Sequence, residues 1–189
     1  MADALVVAEI LTGIGIAFVV YFFFGSFLFG AGYEPTGRAR VDALLEMAEV
    51  GPTDTLYELG AGTGAIALRA AETRGARVVA VEIDPVRVAV LALRRALSPA
   101  RSRITVRRQN LFRTDLTSAT VVSTFLWPSA MTRLGPRLQR ELAPGSRIVS
   151  YYHPLTGWTP EAIDRARRIY LYRVPSRPRD GSQLRADGT

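Results

Sequence analysis

The sequence predicts an α/β chain: a Rossmann-like sheet with helices on both faces, preceded by one N-terminal transmembrane helix. Three observations predict it. Short apolar runs alternate with helical patterns from residue 54 onward, the signature of successive βαβ units. Between the first run and the first helical pattern lies a glycine turn, Gly60-Ala61-Gly62-Thr63-Gly64. Residues 10–32 carry no charged side chain.

At 189 residues there is room for one α/β domain and little else. The expected division is an anchor over 1–32, a linker and short helix over 33–52, a cofactor-binding domain over 53–174 and a disordered tail over 175–189. Cysteine is absent and His153 is the single histidine, so no disulfide framework or histidine-rich metal site can form and no metal is expected. The net charge of +7 comes entirely from arginine, since the chain has no lysine. An anionic membrane face or nucleic acid would suit that charge, but the arginines are spread along the chain with little aromatic interleaving, which argues against a dedicated nucleic-acid surface.

In chain order, residues 10–32 are uncharged and long enough for a bilayer core of about 30 Å, and within them residues 14–24 are apolar on every helical face. A cleaved signal peptide is the rival, with Phe29-Gly30-Ala31-Gly32 as a cleavage region. The acidic Asp3 and Glu9 and the long apolar stretch favour an uncleaved anchor. Arg38 and Arg40 follow the span, so the positive-inside bias places the body at the cell membrane on its cytoplasmic side. Val41, Leu44, Leu45 and Ala48 share one face of a short helix, closed by Gly51-Pro52.

Residues 54–57 form the first strand, and the glycine turn opens the next helix. Residues 76–82 read as a strand buried on both faces. Asp84-Pro85 starts a helix as cap and first-turn proline, with Val86, Val90 and Leu93 inward and Arg87, Arg94 and Arg95 outward. Residues 104–108 alternate as a third strand, residues 119–126 make a fourth, and Trp127-Pro128 ends it. Residues 131–142 are helical, residues 147–152 a fifth strand, and residues 168–173 an edge strand.

The turn carries the functional reading. Glycines at alternate positions admit positive φ and let a ligand approach the backbone, and a new helix N-terminus offers N–H groups. The spacing is G-x-G-x-G, not the dinucleotide G-x-G-x-x-G. Glu58 stands two places before the first glycine, where a carboxylate suits the ammonium and sulfonium of S-adenosylmethionine better than a pyrophosphate. Glu82, ending the second strand, can accept both hydroxyls of an adenosine ribose. Asn110 can accept from an adenine amino group, or make its own turn.

Five stretches carry a resemblance: Tyr33-Glu34-Pro35-Thr36, Tyr57-Glu58-Leu59-Gly60-Ala61-Gly62-Thr63-Gly64, Val81-Glu82-Ile83-Asp84, Gln109-Asn110-Leu111-Phe112 and Gly145-Ser146-Arg147-Ile148-Val149-Ser150. On these the chain resembles the small class I S-adenosylmethionine-dependent protein lysine methyltransferases, a group with a broad-specificity archaeal enzyme and membrane-anchored mitochondrial enzymes acting on ATP synthase subunit c and the adenine nucleotide translocase. The resemblance implies that Glu58, Gly60, Gly62 and Gly64 line the methionine part of the cofactor, Glu82 the ribose, and Asn110 with Leu111 the adenine. Thr36 would close over it. Two departures stand out: Asn110 where the family often has Asp, and Tyr151-Tyr152-His153 where it has a His-Asp-Phe-like triplet.

Methyl transfer to an amine is an in-line displacement that needs the amine aligned and unprotonated. A narrow apolar channel lowers a lysine pKa from ~10.4, so no strong base is required. Tyr33, Phe125, Trp127 and Tyr151 are the aromatic residues expected around it, core or interface packing being the alternative for each. The expected partner is a membrane or membrane-associated protein with an accessible lysine. The alternatives are a quinone or lipid acceptor, and a membrane-tethered cofactor- or RNA-binding module without transfer.

Overall fold

The computed structural model describes residues 2–24 and 37–176. Tyr33, Thr36, the possible cleavage region and the expected tail from residue 177 lie outside the described residues.

Helix α1 (Ala2–Phe24) comes first, then α2 (Arg38–Met47), β1 (Thr55–Leu59), α3 (Ala65–Arg74), β2 (Arg77–Glu82), α4 (Pro85–Leu97), β3 (Ile104–Arg108), β4 (Val121–Thr124), α5 (Pro128–Glu141), β5 (Arg147–Tyr151), β6 (Ala162–Asp164) and β7 (Ile169–Arg173). The seven strands form one sheet in the order β3-β2-β1-β4-β5-β7-β6. The first five are parallel, β7 runs antiparallel to β5, and β6 antiparallel to β7. This is the expected Rossmann-like arrangement, with the order reversing between β1 and β4. A crevice at the carboxyl ends of the strands beside that switch point is where such sheets bind ligands.

The N-terminal expectation is corrected. Among the described residues no helix is long and apolar enough to cross a membrane. The uncharged stretch in the sequence runs over residues 10–32, but α1 ends at Phe24. Its uncharged part, residues 10–24, spans only ~22 Å at ~1.5 Å per residue, against a hydrocarbon core of ~30 Å. Asp3 and Glu9 occupy the preceding turns. The expected transmembrane helix is therefore not found among the described residues.

Period-two alternation divides the core between the two sheet faces. Leu56 and Val149 point with Val41, Leu44, Leu45, Ile66 and Leu91 into one layer. Tyr57, Leu59, Val81 and Ile148 meet Met131, Leu134 and Leu138 of α5 in the other. Each fully buried aliphatic side chain stabilises by about 1.5–3 kcal/mol relative to exposure. The amino ends of the strands are stapled by polar groups. Buried Asp54 accepts from Gly51 N, Thr120 Oγ1 and the Arg147 guanidinium, and Arg147 also donates to the carbonyls of Ala48 and Glu49. That edge is built for rigidity, which leaves the opposite edge for chemistry.

Two local expectations fail for stated reasons. The strand over 168–173 is not the edge, because the three residues of β6 pair outside it. Helix α4 is rotated relative to expectation: Arg87 and Leu91 are buried, while Leu93 is 62% exposed. Polar anchors fix that rotation. Asp84 caps the helix by accepting from Val86 N and Arg87 N, and Arg95 Nε donates to Ile104 O at 2.6 Å. Leu91 fills the space beside Gly64.

Candidate active site

The glycine turn takes left-handed geometry at Gly60 (φ 80°), Gly62 (φ 55°) and Gly64 (φ 79°). A Cβ on Gly64 would lie 2.1 Å from Leu91 Cδ1, so this glycine serves the packing of α3 against α4. A Cβ on Gly60 would lie 3.0 Å from Leu126 Cδ2, where the turn passes close to the end of β4.

Four of the turn's five N–H groups, all but that of Thr63, are used by the protein itself, contrary to the expectation of free donors. Gly60 N and Ala61 N both donate to Val81 O at 2.9 Å, and Gly64 N to Ala61 O at 2.8 Å. Gly62 N donates to Glu82 Oε2 at 2.7 Å. The amino end of α3 is taken by Glu58, whose Oε2 accepts from Ala67 N at 2.8 Å. Its N-cap, Gly64, has no side chain to offer, so a strand carboxylate does the capping.

Burial pushes the Glu58 carboxyl up to about 8, against the amides of Ala67 and Ile66 that pull it down; neighbouring Glu82 adds a smaller upward push and Arg94 a smaller downward one. Beside it in register on β4 is Ser123, fully buried, whose hydroxyl has no hydrogen-bond partner in the structure.

Glu82 closes the next strand. Its Oε1 accepts from Ile83 N at 2.8 Å and Asp84 N at 2.9 Å, and its Oε2 holds the turn through Gly62. An ionised carboxylate has about four lone-pair sites, so one remains on Oε2 for a ligand hydroxyl. Gln109 N donates to Glu82 O at 2.9 Å, which brings the end of β3 alongside. There Asn110 Oδ1 accepts from Phe112 N at 2.9 Å in an Asx turn, so this exposed side chain builds the loop. Leu111 is half-buried next to it, and Ile83 is 37% exposed.

The residues present fit S-adenosylmethionine. Glu82 would offer its spare acceptor site to a ribose diol, Ile83 and Leu111 would flank an adenine, and Gly60 and Gly62 carry no side chain to obstruct either.

Beyond the turn, the ends of β4 and β5 bring aromatic rings together. Phe125 and Tyr151 meet edge-on with centroids 4.4 Å apart. Tyr152 lies 6.1 Å from Tyr151 and 6.4 Å from Phe125, and Trp127 stacks on His153 at 6.2 Å. Two guanidiniums sit over ring faces: Arg40 over Tyr151 at 4.9 Å and Arg168 over Tyr152 at 4.4 Å. Phe125 and Tyr151 thus meet directly, Tyr151 being buried in the core layer with Val41 and Leu44, while Trp127 connects to them only through His153 and Tyr152; the fourth expected aromatic residue, Tyr33, is outside the described residues.

Sequence reasoning missed Tyr152 and Ser123. Alternation along a strand would send Tyr152 to the face opposite Tyr151, but its backbone turns to φ 69°. A left-handed tyrosine costs about 1–3 kcal/mol and concentrates at functional sites. The adjacent tyrosines were the available signal. Nothing in the sequence marks the unpartnered hydroxyl of Ser123.

Among the described residues no cluster of acidic or histidine side chains could hold a metal ion. The ANTKMT methyltransferase domain matches residues 58–162. A protein-lysine N-methyltransferase of Saccharolobus islandicus is 33% identical over 147 residues, 74% of this chain and 91% of that protein. The adenine nucleotide translocase lysine N-methyltransferase of Mus musculus is 30% identical over 144 residues, covering 75% of this chain and 62% of its own length. Among solved structures, an RNA methyltransferase from Salinibacter ruber bound to S-adenosyl-L-homocysteine superposes with a TM-score of 0.74 at 37% identity, over 78% of this chain and 98% of that one.

Proposed function

The chain belongs to the family of the ANTKMT methyltransferase domain and is a class I S-adenosylmethionine-dependent methyltransferase, and on that premise we propose that its acceptor is a lysine side chain of a protein, itself associated with a membrane. The observation that carries the lysine acceptor is the aromatic cluster beside the glycine turn. Tyr151 and Tyr152 each already hold a guanidinium against a ring face, which is how aromatic surfaces receive an ammonium. The named acceptors of the two lysine methyltransferase relatives support the protein, and the translocase in the mouse relative's name supports the membrane.

S-adenosylmethionine, when bound, supplies a methyl group on a sulfonium. The chain's own residues do the rest. Glu82 orients the ribose end and ties it to the turn through Gly62. The apolar walls of Phe125 and Tyr151 penalise a charged ammonium and shift a lysine toward its neutral, nucleophilic form. Aromatic edges and faces then align that amine with the methyl carbon, a positioning effect worth several kcal/mol in favourable cases.

A second reading, an RNA acceptor, is favoured by the name of the Salinibacter ruber protein and by the arginine-rich composition. Against it, Thr124-Phe125-Leu126-Trp127 replaces the D/N-P-P-Y/F strand end of many nucleic-acid amino-methyltransferases. Incubation with methyl-labelled S-adenosylmethionine and host membranes, soluble protein and RNA separates the readings. Label recovered as methyl-lysine from a membrane-fraction protein is the expected result. Label confined to RNA or to the organic extract overturns it. Because the chain contains no lysine, self-methylation at lysine cannot confuse the assay.

A further inference from the structure

The rotation of α4 leaves an apolar surface that no described residue covers. Leu93 and Leu97 are 62% and 77% exposed, and Ala89, Ala92 and Ala96 lie outward with them. Burying the stripe by turning the helix would break the Asp84 cap, the Arg95 bond to Ile104 O and the bond from Ser98 Oγ to Glu72.

This stripe runs into a groove of about 600 Å³ between α2, α3 and α4, whose apolar lining includes Val41, Ala65, Leu68 and Leu97. Arg38 and Arg94 stand at its sides. Arg69, also in the groove, is held bidentate by Asp42, but neither Arg38 nor Arg94 forms an ion pair among the described residues. Arg94 spends one nitrogen on Thr63, in the glycine turn, at 2.6 Å to its carbonyl. Glu72 and Ser98 line the groove too, bonded to each other at 2.6 Å, so its wall is mixed: apolar at Val41, Ala65, Leu68 and Leu97, cationic at Arg38 and Arg94, with its one carboxylate already engaged, and Arg94 links it to the glycine turn.

We infer that the groove and the outward stripe of α4 form a docking surface for an acidic, apolar segment of the protein acceptor, separate from the aromatic site where methyl transfer occurs. Charge complementarity selects the occupant. Leucine-sized side chains match the stripe, and carboxylates match Arg38 and Arg94. The inference rests on the protein-acceptor reading, and it adds where that protein is gripped.

The probe is a synthetic fluorescent helical peptide with leucines at i, i+3, i+4 and i+7 flanked by glutamates, and a counterpart with arginines in place of the glutamates. Polarisation should show the acidic peptide binding at least tenfold more tightly. Arg38→Glu and Leu97→Glu should each weaken it at least tenfold while leaving S-adenosylhomocysteine binding, measured by calorimetry, unchanged. Equal affinity for the two peptides, or binding indifferent to both substitutions, overturns the inference. So does a preference for an RNA oligonucleotide or for phosphatidylglycerol vesicles with no binding of the acidic peptide. Failure of the acceptor reading appears in a different assay, as label missing from every protein band, so the two failures are distinguishable.

Discussion

Replacing Gly64 by alanine tests whether the turn is shaped by packing as much as by the cofactor. At φ 79° an L-residue adopts the left-handed conformation, at a cost of roughly 1–2 kcal/mol. The new Cβ would also sit 2.1 Å from Leu91 Cδ1, a fully buried side chain. Relieving such an overlap in a packed core typically costs about 1–3 kcal/mol, so Gly64→Ala should destabilise by about 2–5 kcal/mol in all. Urea unfolding followed by the fluorescence of Trp127 and Trp158 measures it, with an unchanged m-value showing that the loss is in stability itself. The double variant with Leu91→Ala separates the two causes. It should recover the overlap part and leave the backbone part, giving a favourable coupling of about 1–3 kcal/mol. A single variant within ~0.5 kcal/mol of the parent, the range of neutral surface changes, would refute the reasoning.

Glu58 gives a pH prediction. Its folded carboxyl lies at about 8 against an ordinary 4.5, so its contribution to stability is complete below pH ~4.5 and is lost as the pH rises toward 8, a fall on the order of 5 kcal/mol. Unfolding measured across that window should show the slope, and Glu58→Gln should flatten it; a parent with flat stability would exclude a protonated Glu58. Arg147→Met strands the buried Asp54 with only Gly51 N and Thr120 Oγ1, and should cost about 3 kcal/mol in urea unfolding. Glu82→Ala should weaken S-adenosylhomocysteine binding in calorimetry at least 100-fold, ~2.7 kcal/mol, as expected for charged hydrogen bonds; full retention of affinity would remove Glu82 from the site. Tyr151→Ala should raise KM for a lysine-bearing acceptor more than tenfold while leaving cofactor binding intact, and a change in cofactor affinity alone would place the ring elsewhere.

Much of this molecule could be read from local pattern. The parallel strands announce themselves as apolar runs because both their faces are buried, and the glycine turn combines residue types with little other use between a strand and a helix. Asp84 was legible as a cap because Pro85 follows it, and the structure has it accepting from two N–H groups. What escaped depends on contacts between distant parts. The rotation of α4 is set by Ile104, Glu72 and Gly64 on other elements, and hydrophobic spacing alone chose the wrong side. The uncharged stretch of the N-terminal region extends past Phe24, the last residue of the described α1, and composition alone carries no sign of that boundary. Tyr152 joins the aromatic group only through a backbone angle that no alternation rule anticipates.

The bonds of Glu82 tie together the glycine turn, the end of β2 and the start of α4 with a single side chain. Three backbone segments thus depend on one side chain, so a substitution there disturbs the fold before any ligand is considered. A change at Leu111 would likewise reach the core layer it packs against, whereas Ile83, 37% exposed, is the neighbour that can vary with least disturbance.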